Sequence, residues 1–340
     1  MDTNFSSVGD SDDATSNLNA TVIYTSLYTI LLFGIVFNLI ASIFLYKYLK
    51  RRPDENHIIL LFSLIVVDLV SLCIFAIRTP LYYLAVFLIN PNVWCNFVGF
   101  TNFTFPLSSG AIWTLMSFER CVALSMPFRY ANYFQPKKTK RYVVATLALV
   151  VFLNSIPFVG IGSYDALLDE PIICRYSYSP SDPAIYMVHL GAYLFCGWSE
   201  VFIGAVCNIV VVYQIYKMSK VNLVGVNQTQ ENRSQVKNME SEMNIARTAV
   251  IIFVGFTCCW VPVLIVLMFK RLGIPLPDVF GFAAGQLLLA NHLVDPISFV
   301  LARPGFYKFI LSKFCIFINR SPSESITLTG TSGLQGSTTC

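Results

Sequence analysis

The residues most able to do chemistry are few and oddly placed. Glu119 and Arg120 sit side by side in F-E-R-C, closing an apolar run that begins near Val98. An acid and a base where a membrane-length helix leaves the hydrocarbon can neutralise each other, and an arginine there can also reach into a partner. Asp68 and Asp295 lie inside apolar stretches, where a carboxylate is costly unless paired or hydrated. The three histidines do not assemble a catalytic set: His57 is at an interface, His189 near an outer end, and His292 alone in the last span. H-E-x-x-H, a Ser–His–Asp set and a phosphate-cradling glycine loop are all missing from the sequence. These residues do not read as an enzyme's, and no cofactor is implied.

These residues must be positioned by membrane helices. The 340 residues are 55% hydrophobic and only 12% charged, with mean hydropathy +0.63, and runs of about 20 apolar residues are the mark of bilayer spans. Seven such segments occur, at 22–46, 57–86, 95–125, 141–162, 185–216, 245–269 and 279–302. The connections are short except 163–184 and 217–244, so one bundle is expected. No internal repeat or broken helix pair supports the different-class alternative, a membrane transporter.

Orientation follows from Lys and Arg. They crowd the segments after spans 1, 3, 5 and 7; only Arg78, Arg175, Lys270 and Arg271 of the 23 fall elsewhere. That places the N-terminus outside and Arg120 at the cytoplasmic face. The expected organisation is an outer tail over 1–21 with acceptor sequons at Asn4 and Asn19, and a seven-helix bundle over 22–302. An amphipathic inner-leaflet helix over 303–317, with Cys315 open to palmitoylation, and a disordered Ser/Thr-rich tail over 318–340 follow.

Five motifs in order resemble the rhodopsin-family G-protein-coupled receptors: Asn38, L-I-V-V-D ending at Asp68, E-R-C at Glu119–Cys121, C-W-V-P at Cys259–Pro262 and D-P-I-S-F at Asp295–Phe299. The fold implied is all-α, seven transmembrane helices and a short eighth. The resemblance also implies a disulfide from Cys95 to Cys174, both on the oxidising side. It makes Glu119, Arg120 and Glu242 a G-protein switch, in which Arg120 is freed when the sixth span swings about Pro262. Trp260, Pro262, Asp295, Pro296 and Phe299 become hinge and toggle, with Phe where the family carries Tyr. Asn38, Asp68, Ser109, Asn291 and Asp295 become an internal polar cluster that holds a sodium ion, protons or only water. The implied partners are a heterotrimeric G protein, an arrestin and receptor kinase on the tail, an extracellular small-molecule or peptide ligand and the lipid bilayer, not nucleic acid. The implied location is the plasma membrane, multi-pass.

Within that family, Cys121, F-P-L followed by Gly110, I-P-F-V-G-I-G-S-Y at 156–164 and N-H-L-V-D-P at 291–296 resemble the prostanoid receptors. The departure is Gln286, standing where those receptors hold an Arg for the ligand carboxylate; an amide does not compensate a buried charge. Asn102 stands where amine receptors carry Asp. The residues assigned to ligand binding are Arg78, Asn102, Phe103, His189, Tyr193, Trp260 and Gln286. Arg78 either anchors an anionic ligand or pairs with Glu200, and the ligand is a lipid mediator or, alternatively, a peptide or chemosensory molecule.

Overall fold

A computed structural model describes residues 9–88, 90–167, 173–176, 183–224 and 230–302. Its helices are α1 (Gly9–Arg51), α2 (Asn56–Leu88), α3 (Pro91–Ser125), α4 (Pro127–Tyr133), α5 (Pro136–Ser155), α6 (Met187–Val224), α7 (Gln230–Arg271) and α8 (Asp278–Ala302). Seven of them form the bundle; the seven-residue α4 lies in the inner connection between α3 and α5. The expected fold is therefore present, with two additions. α1 starts at Gly9, so much of the expected outer tail is helical. The outer connection after α5 carries a hairpin, β1 (Tyr164–Leu167) against β2 (Ile173–Tyr176), antiparallel with Ala166 opposite Cys174. The expected 303–317 helix, the 318–340 tail, Asn4 and Cys315 lie outside the described residues, as does the side chain of Asn19.

α3 is the axis. It packs against α2, α5, α6, α7 and both strands. Asn90 caps its first turn, its side chain accepting from the Asn92 amide at 2.9 Å, with Pro91 following. Among the described residues, five segments are long and apolar enough to cross a membrane by composition: Thr25–Arg51, Asn56–Arg78, Pro136–Val159, Ala184–Met218 and Ala249–Arg271. α3 is not in that set because it buries Thr101, Thr104, Ser108, Ser109, Ser117, Glu119 and Arg120. A helix surrounded by protein on most sides needs no lipid-compatible surface and is free to carry polar groups.

The turn into the hairpin explains the glycine-rich run after α5. Pro157 tightens the chain into a 3-10 turn, and Gly160 and Gly162 follow with φ of 87° and 114°, conformations that side chains resist. Tyr164 is thereby laid on Gly99 of α3, where a Cβ would occupy its ring. Cys95 and Cys174 are joined in a disulfide, as expected, tying β2 to the start of α3.

Aromatic rings fill the centre from inner to outer half. Trp113 stacks on Phe253 and Phe256 with centroids 5.0 and 4.7 Å away. Phe256 meets Trp260 at 6.0 Å, Trp260 meets Tyr193 at 6.1 Å, and Tyr193 meets Phe103 edge-on at 4.7 Å. Room for the Trp113 indole exists because position 204 has no side chain; a Cβ on Gly204 would collide with its six-membered ring. Gly204→Ala is expected to overpack this seam and lower stability by about 1–3 kcal/mol, read as an earlier thermal melt of the purified protein.

Candidate functional site

Functional side chains occur at three depths. The outermost is a cavity of about 380 Å³ enclosed by residues of α1, α2, α3, α6, α7 and α8. Its walls are mainly Leu, Val, Phe, Ala and Gly, and its polar members are Arg78, Asn102, Tyr193, Lys270 and His292. No Asp or Glu is among those lining residues. Size and chemistry match a pocket for a mostly apolar small molecule with a few convergent polar contacts. Arg78 donates to Asn102 Oδ1 at 2.6 Å and lies over the Phe75 ring, 5.0 Å from its centroid. Its guanidinium is thus aimed by an amide and a ring face.

Several sequence expectations change here. Arg78 does not pair with Glu200 among the described residues; that carboxyl is buried between α3, α6 and α7, against Gly110 and Phe256. Of the residues assigned to the ligand, Arg78, Asn102, Phe103 and Tyr193 line the cavity, while His189, Trp260 and Gln286 do not. His189 is held in the core, its Nε2 3.2 Å from Asn154 Oδ1 and 3.5 Å from the Tyr164 hydroxyl. Trp260 is fully buried, and Gln286 is half-buried outside the cavity lining. Lys270, which the sequence marked only as one of the four basic residues away from the crowded side, also lines the cavity.

The second depth is the cluster around Asp68. Ser109 donates to Asp68 Oδ1 at 3.0 Å, and Asn38, Asn291 and Asp295 are buried with it. His292 is not alone: its Nδ1 is 2.8 Å from Asp68 Oδ1, its Nε2 is 3.1 Å from the Ser71 hydroxyl, and its carbonyl accepts from Asn38 at 2.7 Å. His292 therefore belongs to both the cavity floor and the Asp68 cluster. One side chain thus faces both the cavity and the buried cluster. The sequence shows His292 in N-H-L-V-D-P, but its contact with α2 is long-range and no local spacing marks it.

The third depth is the inner charge pair. Arg120 Nε and Nη2 each donate to a different oxygen of Glu119 at 2.5 Å, a two-pronged contact with both side chains buried. Tyr130 of α4 donates its phenol proton to the same carboxylate. Asn56 donates to the Tyr130 oxygen at 3.1 Å and accepts from Thr139 at 2.9 Å, so α2, α4 and α5 all brace the pair. Burial first, and then the Glu119 carboxylate beside it, holds the Tyr130 phenol well above its ordinary range, so it remains a proton donor. Tyr130, Asn56 and Thr139 are bracing residues that sequence reasoning missed. Glu242 lies on α7, with its side chain outside the described residues, as is that of Phe299; Pro262 and Pro296 sit inside α7 and α8.

Removing one partner of a buried pair leaves an uncompensated charge. Glu119→Gln is therefore expected to cost about 3–5 kcal/mol of stability, against about 1 kcal/mol for Tyr130→Phe. Thermal melts of the two variants in lipid nanodiscs check the order; a Tyr130→Phe protein that melts lower than Glu119→Gln refutes it.

The comparisons agree with this arrangement. Residues 37–298 match the family model described as "7 transmembrane receptor (rhodopsin family)". The chain is similar to "Rhodopsin, GQ-coupled" of Mizuhopecten yessoensis, 21% identical over 223 residues that cover 64% of this chain and 44% of that protein. It is similar to the prostaglandin E2 receptor EP4 subtype of Bos taurus, 27% identical over 62% of this chain and 42% of the relative. A 70-residue stretch, 21% of this chain and 18% of the relative, is 34% identical to the Bos taurus prostacyclin receptor. Thus the matched stretches span under half the length of the first two of these relatives. The squid rhodopsin crystal structure superposes with a TM-score of 0.72 at 16% identity, covering 89% of this chain and 84% of that one. Seven packed helices, the Cys95–Cys174 disulfide and a family match over most of the chain lead to one conclusion: the protein is a membrane receptor and belongs to the rhodopsin family of seven-transmembrane receptors.

Proposed function

We propose that the chain is a plasma-membrane receptor for an anionic, largely apolar extracellular molecule, which it answers by activating a heterotrimeric G protein. The observation that carries this reading is the charge of the outer cavity: Arg78 and Lys270 in an apolar enclosure with no acid among its lining residues. A carboxylate entering such a space is paired rather than stranded, and its hydrocarbon body is buried against Phe103, Leu267 and Leu288. Arg78 then takes the anchoring task for which Gln286 is unsuited. The similarity to receptors named for prostaglandin E2 and prostacyclin supports a fatty-acid-derived mediator.

In this reading the signal runs from the cavity floor through His292 to the Asp68 and Asp295 cluster, and past Trp260 to Pro262. The inner half of α7 then leaves the bundle, Arg120 gives up Glu119, and its guanidinium meets the G protein. Glu242 is the proposed resting partner on α7. The N-terminus faces outward, by the distribution of Lys and Arg, with glycans on Asn4 and Asn19. The 1–21 tail, the 22–302 bundle, the 303–317 inner-leaflet helix with a lipidated Cys315, and the 318–340 tail for receptor kinase and arrestin complete the proposed organisation.

A panel of fatty-acid-derived agonists on cells expressing the chain, read as guanine-nucleotide exchange, tests this. An acid in the panel is expected to activate, and its methyl ester to fail. Arg78→Ala is expected to raise the half-maximal concentration of the active acid about tenfold to a hundredfold, the value of one charge-assisted hydrogen bond. Arg120→Ala is expected to abolish exchange while leaving binding of the radiolabelled acid in place. Equal potency of acid and ester would eliminate the anionic ligand; normal exchange by Arg120→Ala would eliminate the switch.

A further inference from the structure

Glycine is the least favourable ordinary residue inside a helix, so a helical glycine is usually explained by what presses against it. Six in this bundle are explained that way. A Cβ on Gly34, Gly99, Gly110, Gly197, Gly204 or Gly255 would come within 2.1–2.8 Å of a side chain on another element. Gly281 and Gly285 of α8, one turn apart, differ: a Cβ on either meets nothing within 4 Å, and both line the outer cavity. Gly191 also has open space, but it lies on the exposed surface of α6 and is no part of the cavity wall.

The two glycines can be placed in depth. His292 Nε2 is 3.1 Å from the Ser71 hydroxyl, which sets the register of α8 against α2. Arg78 lies seven residues along α2 from Ser71, and Gly285 seven residues back along α8 from His292, both in the direction of the cavity. Each is thus about 10 Å from that bond, so Gly285 stands at the depth of Arg78. Gly281 is one turn nearer the mouth. Deeper in, the same helix presents Leu288, Leu289 and His292 to the cavity. The α8 wall is therefore nearly bare beside the arginine and filled below it.

We propose that this space receives a ring or branch carried next to the ligand's carboxyl, and that Gly281 and Gly285 select acids of that shape over unbranched chains. The inference rests on the reading above that Arg78 pairs with a carboxylate. With the carboxylate fixed there, an unbranched chain passes the two glycines as a single file of methylenes and leaves the space beside them empty. An empty apolar space forfeits contact energy, whereas a ring laid on a helix face without side chains recovers it. The tail then continues inward against Phe103, Leu267 and Leu288. Arg78 sets the requirement for charge, and the glycines set the requirement for width beside that charge.

N-octanoylglycine and N-octanoylphenylalanine test this, since they differ only in the benzyl group beside the carboxylate. Half-maximal concentrations are read from ligand-induced stabilisation of the full-length receptor in nanodiscs. The phenylalanine acid is expected to bind about tenfold more tightly than the glycine acid. Gly285→Leu, which fills the space, should weaken the phenylalanine acid about tenfold and leave the glycine acid little changed. Without ligand, Gly285→Ala should melt no lower than the parent, because alanine is the better helix former and its methyl meets nothing. Equal binding of the two acids, equal losses in Gly285→Leu, or a lower melt of Gly285→Ala overturns the inference. The anionic reading survives that failure if Arg78→Ala still weakens both acids. If both acids bind no better than their methyl esters, that reading falls and this inference falls with it.

Discussion

A guanidinium and a carboxylate held together at the inner end of α3 set the terms for everything around them. Arg120 and Glu119 share two bonds of 2.5 Å with both side chains buried. In this environment the pair is worth little as a net contributor, because desolvating two charges offsets most of their attraction. Its importance lies in the cost of separating them. Once buried, each charge is strongly committed to the other, so the chain can release Arg120 only if something of comparable strength takes it. That constraint makes the pair costly to separate in any other arrangement of the bundle.

The surrounding structure is arranged to keep that commitment local. Tyr130 adds a donor to Glu119 from α4, and Asn56 ties Tyr130 to Thr139 of α5. Three elements are thereby indexed to one carboxylate, while α6 and α7 also pack against α3 and supply none of these bracing bonds among the described residues. The aromatic column continues from the Trp113–Phe256 stack through a tilted contact to Trp260 and an edge-on one to Tyr193.

The number of spans and the Glu119–Arg120 pair were legible in the residues, because each has a one-dimensional signature, apolar length or adjacency, and the disulfide partners followed from the family resemblance. The hairpin was not, because four-residue strands have no periodicity that separates them from loop. Tyr130 and Asn56 were not, because their bond joins residues 74 apart and neither position is unusual for its own element. His189 was assigned to the ligand for its depth alone, and Asn154 and Tyr164 take it into the core instead. Lys270 was passed over for the same reason reversed: it sits at a helix end, where a lysine ordinarily faces water, yet its long stem lets it reach the cavity.

His292 gains most from the third dimension. Read alone it is a histidine in an apolar helix, and the ordinary account is a satisfied core residue. Its hydrogen bonds do satisfy it, but they satisfy it with Asp68 and Ser71 of α2, while the same side chain closes the floor of the ligand cavity. A core residue has one environment; this one has two, and any ligand that displaces or draws on the imidazole must alter what Asp68 receives. A buried Asp68 is costly without donors, and its neighbours besides His292 are Ser109 and Asp295, on α3 and α8. Those are the helices that carry Arg120 at the inner face and Pro296 beside it. The polar cluster is thus where the cavity floor, α2, α3 and α8 share one set of hydrogen bonds.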